Sequence, residues 1–254
     1  MTMHSFVPDR TGRERTPALW RGIPFNELLS NPRLGFAAHW DFCGFDNDLW
    51  TVTNATSGTL AAISGHGGVV RVSAGAATDA QGVRSAQPGG AASQFITPAA
   101  GRIIVVEALL KDTPQTSTLN SRWFGLATQT TGLGTAGDPD GTDRIGFIAE
   151  NDANIKFNYK DAGGTEYEVD TTYDVTSGNW TKWGFRINGL SSVEWTVNGV
   201  APTIVAATTT YAIPDAIMNI TLANVANGGT GTPTTDFDWI DFAVYDEQTS
   251  VVTV

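Results

Sequence analysis

The sequence predicts an all-β protein, an antiparallel β-sandwich preceded by an N-terminal arm, and three observations support this fold class. Short runs of alternating apolar and polar residues recur from residue 36 onward, and a period of two is typical of strands with one buried face. Turns rich in glycine, proline and asparagine separate these runs. No long window shows a helical period, so crossover helices are not expected and the strands should pair antiparallel.

The clearest strands lie in residues 179–205, where Asn-Gly occurs twice, ten residues apart. Asn-Gly favours a tight hairpin turn because both residues tolerate a positive φ angle. Apolar residues alternate on both sides of the first turn, namely Trp183, Phe185 and Ile187 before it and Val193, Trp195 and Val197 after it. This segment is therefore predicted to be a three-strand meander.

The remaining elements follow the same reasoning. Strands are predicted at residues 36–42, 49–54, 59–64, 68–74, 92–97, 102–111, 121–128, 143–149, 154–160, 164–172, 180–188, 191–197, 200–205, 216–222 and 236–245. The runs IIVVEALL and WIDFAVY are apolar on both faces, which predicts central strands covered on both sides. One helical turn is expected at Phe25–Ser30, opened by Pro24 and ended before Pro32.

Composition limits both the organisation and the function of the chain. The 254 residues carry a net charge of −11, which disfavours general nucleic-acid or anionic-membrane binding. A single cysteine allows no disulfide framework. Charges near the start argue against a signal peptide, and the longest apolar run is too short to span a bilayer. We therefore expect one sandwich domain over residues 36–254, made in the cytoplasm without export.

The arm, residues 1–35, differs from the rest of the chain. It contains four prolines and five arginines against three acidic residues, and it shows no sustained periodicity. Most of it should be extended or irregular. Trp20, Phe25 and Leu28 are too apolar for a free linker. They should lie against a surface, either on the sandwich itself or on a partner.

Longer stretches resemble a known family. NWTKWGFRINGLSSVEWTVNGVAPTIV (179–205) resembles the W-x-x-x-x-F … G-x-V-x-x-x-V-N-G meander of concanavalin A-like (laminin-G-like) jelly-roll domains. AIMNITLANVANGG (216–229) is similar to the next strand of that family, and FDWIDFAVYDE (237–247) to the closing one. The resemblance implies a jelly-roll β-sandwich. It implies no single function, because this fold serves lectins, glucanases and structural modules.

A narrower resemblance concerns the junction of arm and sandwich. ALWRGIPFNELLSNPRLGFAAHWDF (18–42) resembles that junction in virion proteins of tailed bacteriophages, in particular capsid decoration (cement) proteins. It implies a non-enzymatic protein on the virion surface, present as lattice-associated or homo-oligomeric copies that bind the major capsid protein. The partner-binding residues would then be Arg13, Trp20, Phe25, Leu28 and Arg33. The alternatives are a lectin-like module on a tail or fibre, with a glycan as partner, and a glycoside hydrolase.

The candidate catalytic residues are Glu166, Glu168 and Asp170 in EYEVD. Alternate strand residues lie roughly 7 Å apart on one face, and a retaining glycosidase needs its two carboxyl groups about 5–5.5 Å apart. The order departs from the Glu-x-Asp-x-Glu of glucanases, and no apolar cleft that would hold one acid neutral is evident. A solvated strand face is therefore predicted, and no enzyme activity.

An acidic turn and four tryptophans are further candidates for ligand binding. GDPDGTDR (137–144) places Asp138, Asp140 and Asp143 in one turn, and calcium prefers such oxygen ligands. The turn lacks the glycine spacing of an EF-hand, so calcium is an alternative to the prediction of no cofactor. Exposed tryptophans could stack on sugar rings, but core positions are expected for Trp180, Trp183, Trp195 and Trp239, with Trp180 on the more polar face.

Overall fold

The computed structural model describes residues 14–31, 34–42, 50–54, 58–63, 68–74, 80–85, 95–113, 120–128, 143–150, 154–174, 178–226 and 234–246. Within these ranges the chain forms a helix, α1 (Phe25–Ser30), and fifteen strands: β1 (Gly35–Trp40), β2 (Trp50–Asn54), β3 (Thr59–Ile63), β4 (Val69–Ser73), β5 (Ala80–Ser85), β6 (Arg102–Thr113), β7 (Asn120–Ala127), β8 (Arg144–Glu150), β9 (Asn154–Lys160), β10 (Tyr167–Asp174), β11 (Trp180–Asn188), β12 (Ser192–Val197), β13 (Thr203–Ala206), β14 (Asn219–Ala226) and β15 (Thr234–Asp246). The predicted all-β class is confirmed.

The strands form two antiparallel sheets that pack face to face. Sheet A has the order β13-β12-β11-β6-β15-β4-β3, and β1 pairs with the second half of β15. Sheet B has the order β10-β9-β8-β7-β14-β5-β2. Neighbours in space come from distant parts of the chain, as the pairing of β6 with both β11 and β15 shows. The predicted sandwich is confirmed.

The core lies between the sheets and is rich in aromatic side chains. Trp183 of sheet A meets Phe147 of sheet B at a centroid distance of 5.6 Å. Trp195 stacks on Phe157 at 5.8 Å. Aromatic pairs in this range add attraction beyond the apolar area that they bury. The alternation that predicted the meander therefore identified the core face correctly.

The structure differs from the predicted strands at two places. Residues 92–97 were predicted to form a strand, but the described part, 95–97, contains only the isolated bridge of Ile96 with Met218. The strand β5 was not predicted, because AQGVRS lacks the apolar alternation on which the prediction depended. The helical turn and the three-strand meander were predicted correctly.

Residues 14–31, here called the N-terminal strap, lie across the outer face of sheet A. The strap and the sheet share a second apolar cluster, whose buried members are Leu19, Trp20, Phe25, Leu28, Ala37, Ile103, Val105 and Ala243. Gly184 makes room for the strap, since a Cβ atom there would lie 2.7 Å from Cδ1 of Leu19. Of the two surfaces on which the arm could lie, the structure places residues 14–31 on the sandwich itself.

Polar contacts fix the strap in register with sheet A. The carboxylate of Glu107 accepts hydrogen bonds from the Thr16 backbone N–H at 3.0 Å and from the Trp20 indole N–H at 2.7 Å. The guanidinium of Arg186 donates to the carbonyls of Leu19 and Arg21 at 2.9 and 2.7 Å. Two buried charged residues of sheet A, Glu107 and Arg186, are thus hydrogen-bonded to the strap.

Candidate functional site

A two-sheet sandwich has two broad outer faces, and the strap occupies that of sheet A. The helix α1 packs on β1 and β15 of the same sheet. The second outer face belongs to sheet B, and its members follow from strand register. The sheet B face is defined here by Trp123, Gly125, Arg144, Gly146, Ile148, Asn158, Asn219, Thr221 and Ala223, all of which are buried.

The centre of the sheet B face is a pair of glycines. Gly125 on β7 lies directly opposite Gly146 on β8. A Cβ at Gly125 would lie 2.3 Å from the backbone oxygen of Ile145, and one at Gly146 would lie 2.4 Å from that of Phe124. Both positions therefore require glycine, and the bare backbone forms a floor. Asn158 and Thr221 continue the row, which crosses four strands over about 14 Å at ~4.8 Å per strand.

Two polar side chains on this face have no hydrogen-bond partner. Asn219 is 1% exposed, yet neither its amide nitrogen nor its amide oxygen is bonded. Trp123 is also 1% exposed, and its indole N–H is unbonded. A buried polar group without a partner costs about 1–3 kcal/mol, and such groups are rare in native proteins. Both groups could therefore be satisfied by a bound molecule.

The side of the sheet B face formed by the starts of β8 and β10 is polar, and its side chains are paired with one another. Arg144 donates to Asn158 Oδ1 at 3.0 Å and contacts Glu166 Oε1 at 2.9 Å. Asn158 donates to the same oxygen of Glu166. Burial acts to raise the pKa of Glu166, but the Asn158 amide and the Arg144 guanidinium outweigh it and lower the pKa. Glu166 is therefore ionised at neutral pH.

The opposite side of the sheet B face is apolar. Trp123, Ile148 and Ala223 form a cluster of buried residues separate from the core. The face thus combines a bare floor, an apolar side with one indole N–H, and amide, hydroxyl and guanidinium groups on the other side. This arrangement suits a ligand that presents both an apolar surface and hydroxyl groups.

The three predicted catalytic candidates lie next to this face, and each has a partner. Beside Glu166, Glu168 pairs with Lys156 at 2.8 Å. Asp170 accepts hydrogen bonds from the Asn154 amide at 2.7 Å and the Thr172 backbone at 2.6 Å, and these bonds lower its pKa. Glu166 and Asp170 therefore lack the raised pKa that a general acid needs in order to stay protonated near neutral pH.

The predicted calcium ligands are only partly described. Asp138 and Asp140 lie outside the described residues, and Asp143 is buried, accepting a hydrogen bond from the Ala162 backbone at 3.1 Å. Burial, followed by the carboxyl groups of Asp143 and Asp215, raises the pKa of Asp161. Within the described ranges, no group of three or more histidine, cysteine or acidic side chains is placed to hold a metal ion. Calcium binding at this turn stays an untested alternative.

Three of the five predicted partner-binding residues lie inside the molecule. Trp20, Phe25 and Leu28 are buried in the strap cluster, while Arg13 and Arg33 lie outside the described residues. The assignment of the three apolar residues to a partner surface is not supported by this placement, because sheet A already covers them. The physical reason is that a self-contact was available on the outer face of sheet A.

The tryptophan predictions had mixed outcomes. Trp183 and Trp195 are core residues, as predicted. Trp239 is buried, and Trp180 is half-buried with the Lys111 ammonium 5.8 Å from its ring centre. Sequence reasoning missed Trp123, although its position opposite in parity to the core residues of β7 is a signal that it faces outward.

The described helix is too short to cross a membrane, and no other helix occurs in the described ranges. No protein-family model matches the chain, and no curated protein matches it. Several solved structures are similar to it. A protein of unknown function from Shewanella oneidensis MR-1 has 18% identity and a TM-score of 0.58, with 84% of this chain and 88% of that chain covered.

Two further structures have described activities or ligands. An endo-1,3-β-glucanase from Streptomyces sioyaensis has a TM-score of 0.59 and 12% identity, covering 82% of this chain and 95% of its own. The basic winged bean lectin, solved with Tn-antigen, has a TM-score of 0.54 and 9% identity, covering 82% and 98%. The fold is a concanavalin A-like jelly roll. At such identities the likeness shows the fold alone.

Proposed function

We propose that this protein is a carbohydrate-binding module without catalytic activity, and that its ligand lies on the sheet B face. The observation that carries the proposal is the amide of Asn219, which is buried and unbonded beside the glycine floor. An amide offers both a donor and an acceptor, which a sugar hydroxyl can match in either role. The names of the glucanase and of the lectin solved with Tn-antigen support a carbohydrate as the ligand class.

The shape of the face favours a short glycan that lies across the strands. Gly146 and Gly125 let a ring approach the backbone more closely than any side chain would permit. The apolar face of a sugar would pack on Trp123 and Ile148, and its hydroxyls would reach Asn219 and Thr221.

Binding is favoured over hydrolysis because of the state of the neighbouring acids. Glycoside hydrolysis needs one carboxyl group that keeps its proton near neutral pH. Glu166 and Asp170 have lowered pKa values, and Glu168 is paired with Lys156. The hydrogen bonds and ion pairs of these three side chains therefore support a structural role at the edge of sheet B.

The capsid-decoration role stays a prediction. Three of the residues assigned to the capsid contact, Trp20, Phe25 and Leu28, are packed against sheet A. Location on a virion and binding to a major capsid protein would be tested by the presence of this protein in purified particles.

The direct test is calorimetric titration with two probes, a linear 1,3-β-glucan oligosaccharide and a Tn-antigen glycan. We expect saturable binding of at least one probe. Trp123→Phe keeps an aromatic ring and removes the N–H, so affinity should fall roughly two- to tenfold, the equivalent of one hydrogen bond. Trp180→Phe, which lies off the sheet B face, is the matched control and should bind normally. No heat with either probe would contradict the proposal.

A further inference from the structure

The two Asn-Gly turns that flank β12 have the same dipeptide in different surroundings. We infer that Asn198 is a site of spontaneous deamidation, and that the fold blocks the same reaction at Asn188. Asparagine is among the thermolabile residues, and Asn-Gly is its least hindered context because glycine has no side chain. What decides the outcome is therefore how each turn holds its reacting groups.

The reaction needs only water and a base. The backbone nitrogen of the glycine loses its proton to hydroxide and attacks the side-chain carbonyl carbon of the asparagine. A new C–N bond closes a five-membered succinimide ring, and the old C–N bond breaks to release ammonia. Water then opens the ring at one of its two carbonyls and leaves either aspartate or isoaspartate.

Both reacting groups are held at the Asn188-Gly189 turn. The Gly189 N–H donates to the carbonyl of Arg102 at 2.8 Å, so the nucleophile is engaged. The Asn188 side chain accepts from Arg186 Nε at 2.8 Å and donates to Glu194 at 2.9 Å. Its amide cannot turn toward Gly189 unless these bonds break.

The Asn198-Gly199 turn lacks this clamp. Asn198 and Gly199 are exposed. Across the part of the chain that the structure describes, the Gly199 N–H donates no hydrogen bond. The Asn198 side chain accepts one from the Lys182 backbone at 3.2 Å through its oxygen. That bond does not involve the side-chain amide nitrogen, which is the leaving group of the reaction.

The modified turn would act on the strap, because the two are in contact. A Cβ at Gly199 would lie 3.3 Å from the Thr16 hydroxyl and 3.5 Å from Lys182 Nζ. Lys182 Nζ also donates to the Glu14 carbonyl at 2.6 Å. Isoaspartate adds one carbon to the main chain and would displace Gly199 against Thr16. Aspartate would keep the main chain and place a carboxylate beside Lys182.

The test is peptide mapping by mass spectrometry after incubation of the folded protein in mildly alkaline and mildly acidic buffers. We expect conversion at Asn198 to be faster in alkali and at least roughly tenfold faster than at Asn188, equivalent to about 1.4 kcal/mol in activation free energy. In denaturant the two sites should convert at similar rates, which would show that the fold causes the contrast. Conversion at Asn188 that equals or exceeds that at Asn198 in the folded protein would overturn the inference.

A second measurement tests the link to the strap. Hydrogen exchange at the Thr16 amide should be faster in the isoaspartate form than in unmodified protein. The variant Asn198→Asp should leave that exchange rate unchanged, because it adds the charge without lengthening the main chain. Equal exchange in the isoaspartate and unmodified forms would break the proposed connection between turn and strap.

Discussion

The indole N–H of Trp20 donates a hydrogen bond to the carboxylate of Glu107 at 2.7 Å, and this contact ties the N-terminal strap to the centre of sheet A. Glu107 is fully buried in the middle of β6, and burial raises its pKa against the opposing effect of its bonds from Thr16. A carboxylate in that position requires donors. The strap supplies them, so it is part of the folded domain.

Glu107 therefore gives a matched pair of variants. Glu107→Leu would leave the backbone N–H and hydroxyl of Thr16 and the indole of Trp20 without an acceptor, at about 1–3 kcal/mol for each. We expect the free energy of unfolding to fall by several kcal/mol. Glu107→Gln keeps an acceptor and removes a buried charge, so its effect should be much smaller. Urea denaturation measures both, and equal losses would contradict the assigned role.

Removal of the strap should destabilise the sandwich. A chain beginning at Leu34 would expose Ile103, Val105 and Ala243 and leave Glu107 without its partners. Burial of a Trp, Phe or Leu side chain contributes ~1.5–3 kcal/mol, and the strap buries several. We expect a clearly lower melting temperature in calorimetry and self-association in size-exclusion chromatography. A truncated chain that stays monomeric with an unchanged melting temperature would show that the strap is dispensable.

His39 should make the strap region sensitive to pH. Its Nδ1 lies 2.5 Å from Asp241 Oδ1, and Asp241 also binds Arg15 of the strap. The hydrogen bond to Asp241 raises the pKa of His39. Burial acts in the opposite direction but is the smaller effect. The stabilisation is therefore fully present below the ordinary value of about 6.5 and is lost as pH rises through the higher folded value. The ring carbons, followed by NMR, should titrate above that ordinary value.

The control for this prediction is His39→Gln, which cannot become charged. The difference in unfolding free energy between wild type and this variant should be larger in mildly acidic than in mildly alkaline buffer. A difference that grows with pH would have the wrong sign and would exclude the proposed pairing.

We expect no glycosidase activity, because the lowered pKa values of Glu166 and Asp170 beside the sheet B face do not suit a general acid. Purified protein should release no reducing sugar from 1,3-β-glucan over prolonged incubation. Glu166→Gln would loosen the contacts to Arg144 and Asn158, and it should change stability without changing that blank result. Turnover by the wild type that disappears in Glu166→Gln would identify an enzyme.

Some of this architecture could be predicted from local pattern, and some could not. Strand period identified the meander and the core positions of Trp183 and Trp195, because side-chain alternation is a property of the strand itself. Sheet order could not be predicted, because β6 pairs with β11 and β15, which lie far along the chain. Glu107 within IIVVEALL was an available signal, since a lone acid in a strand that is apolar on both faces needs a partner.

The candidate site was harder to predict, because it depends on hydrogen bonds that two buried polar side chains do not make. Asn219 and Trp123 lie in ordinary strand patterns, and only the three-dimensional structure shows that their polar groups are unbonded. The need for glycine at Gly125 and Gly146 likewise comes from the close approach of two strands. The acids of EYEVD attracted attention by their spacing, but their hydrogen-bond partners decide their chemistry.

The variant Asn219→Leu tests the central claim, because it separates ligand binding from folding. Leucine has a similar size and shape, and it removes a buried amide that has no partner, so the free energy of unfolding should stay the same or rise by about 1 kcal/mol. Titration with whichever of the two glycans the wild type binds should show at least a tenfold loss of affinity. A variant that binds the glycan as tightly as the wild type, or a loss of stability large enough to explain weaker binding, would contradict the account.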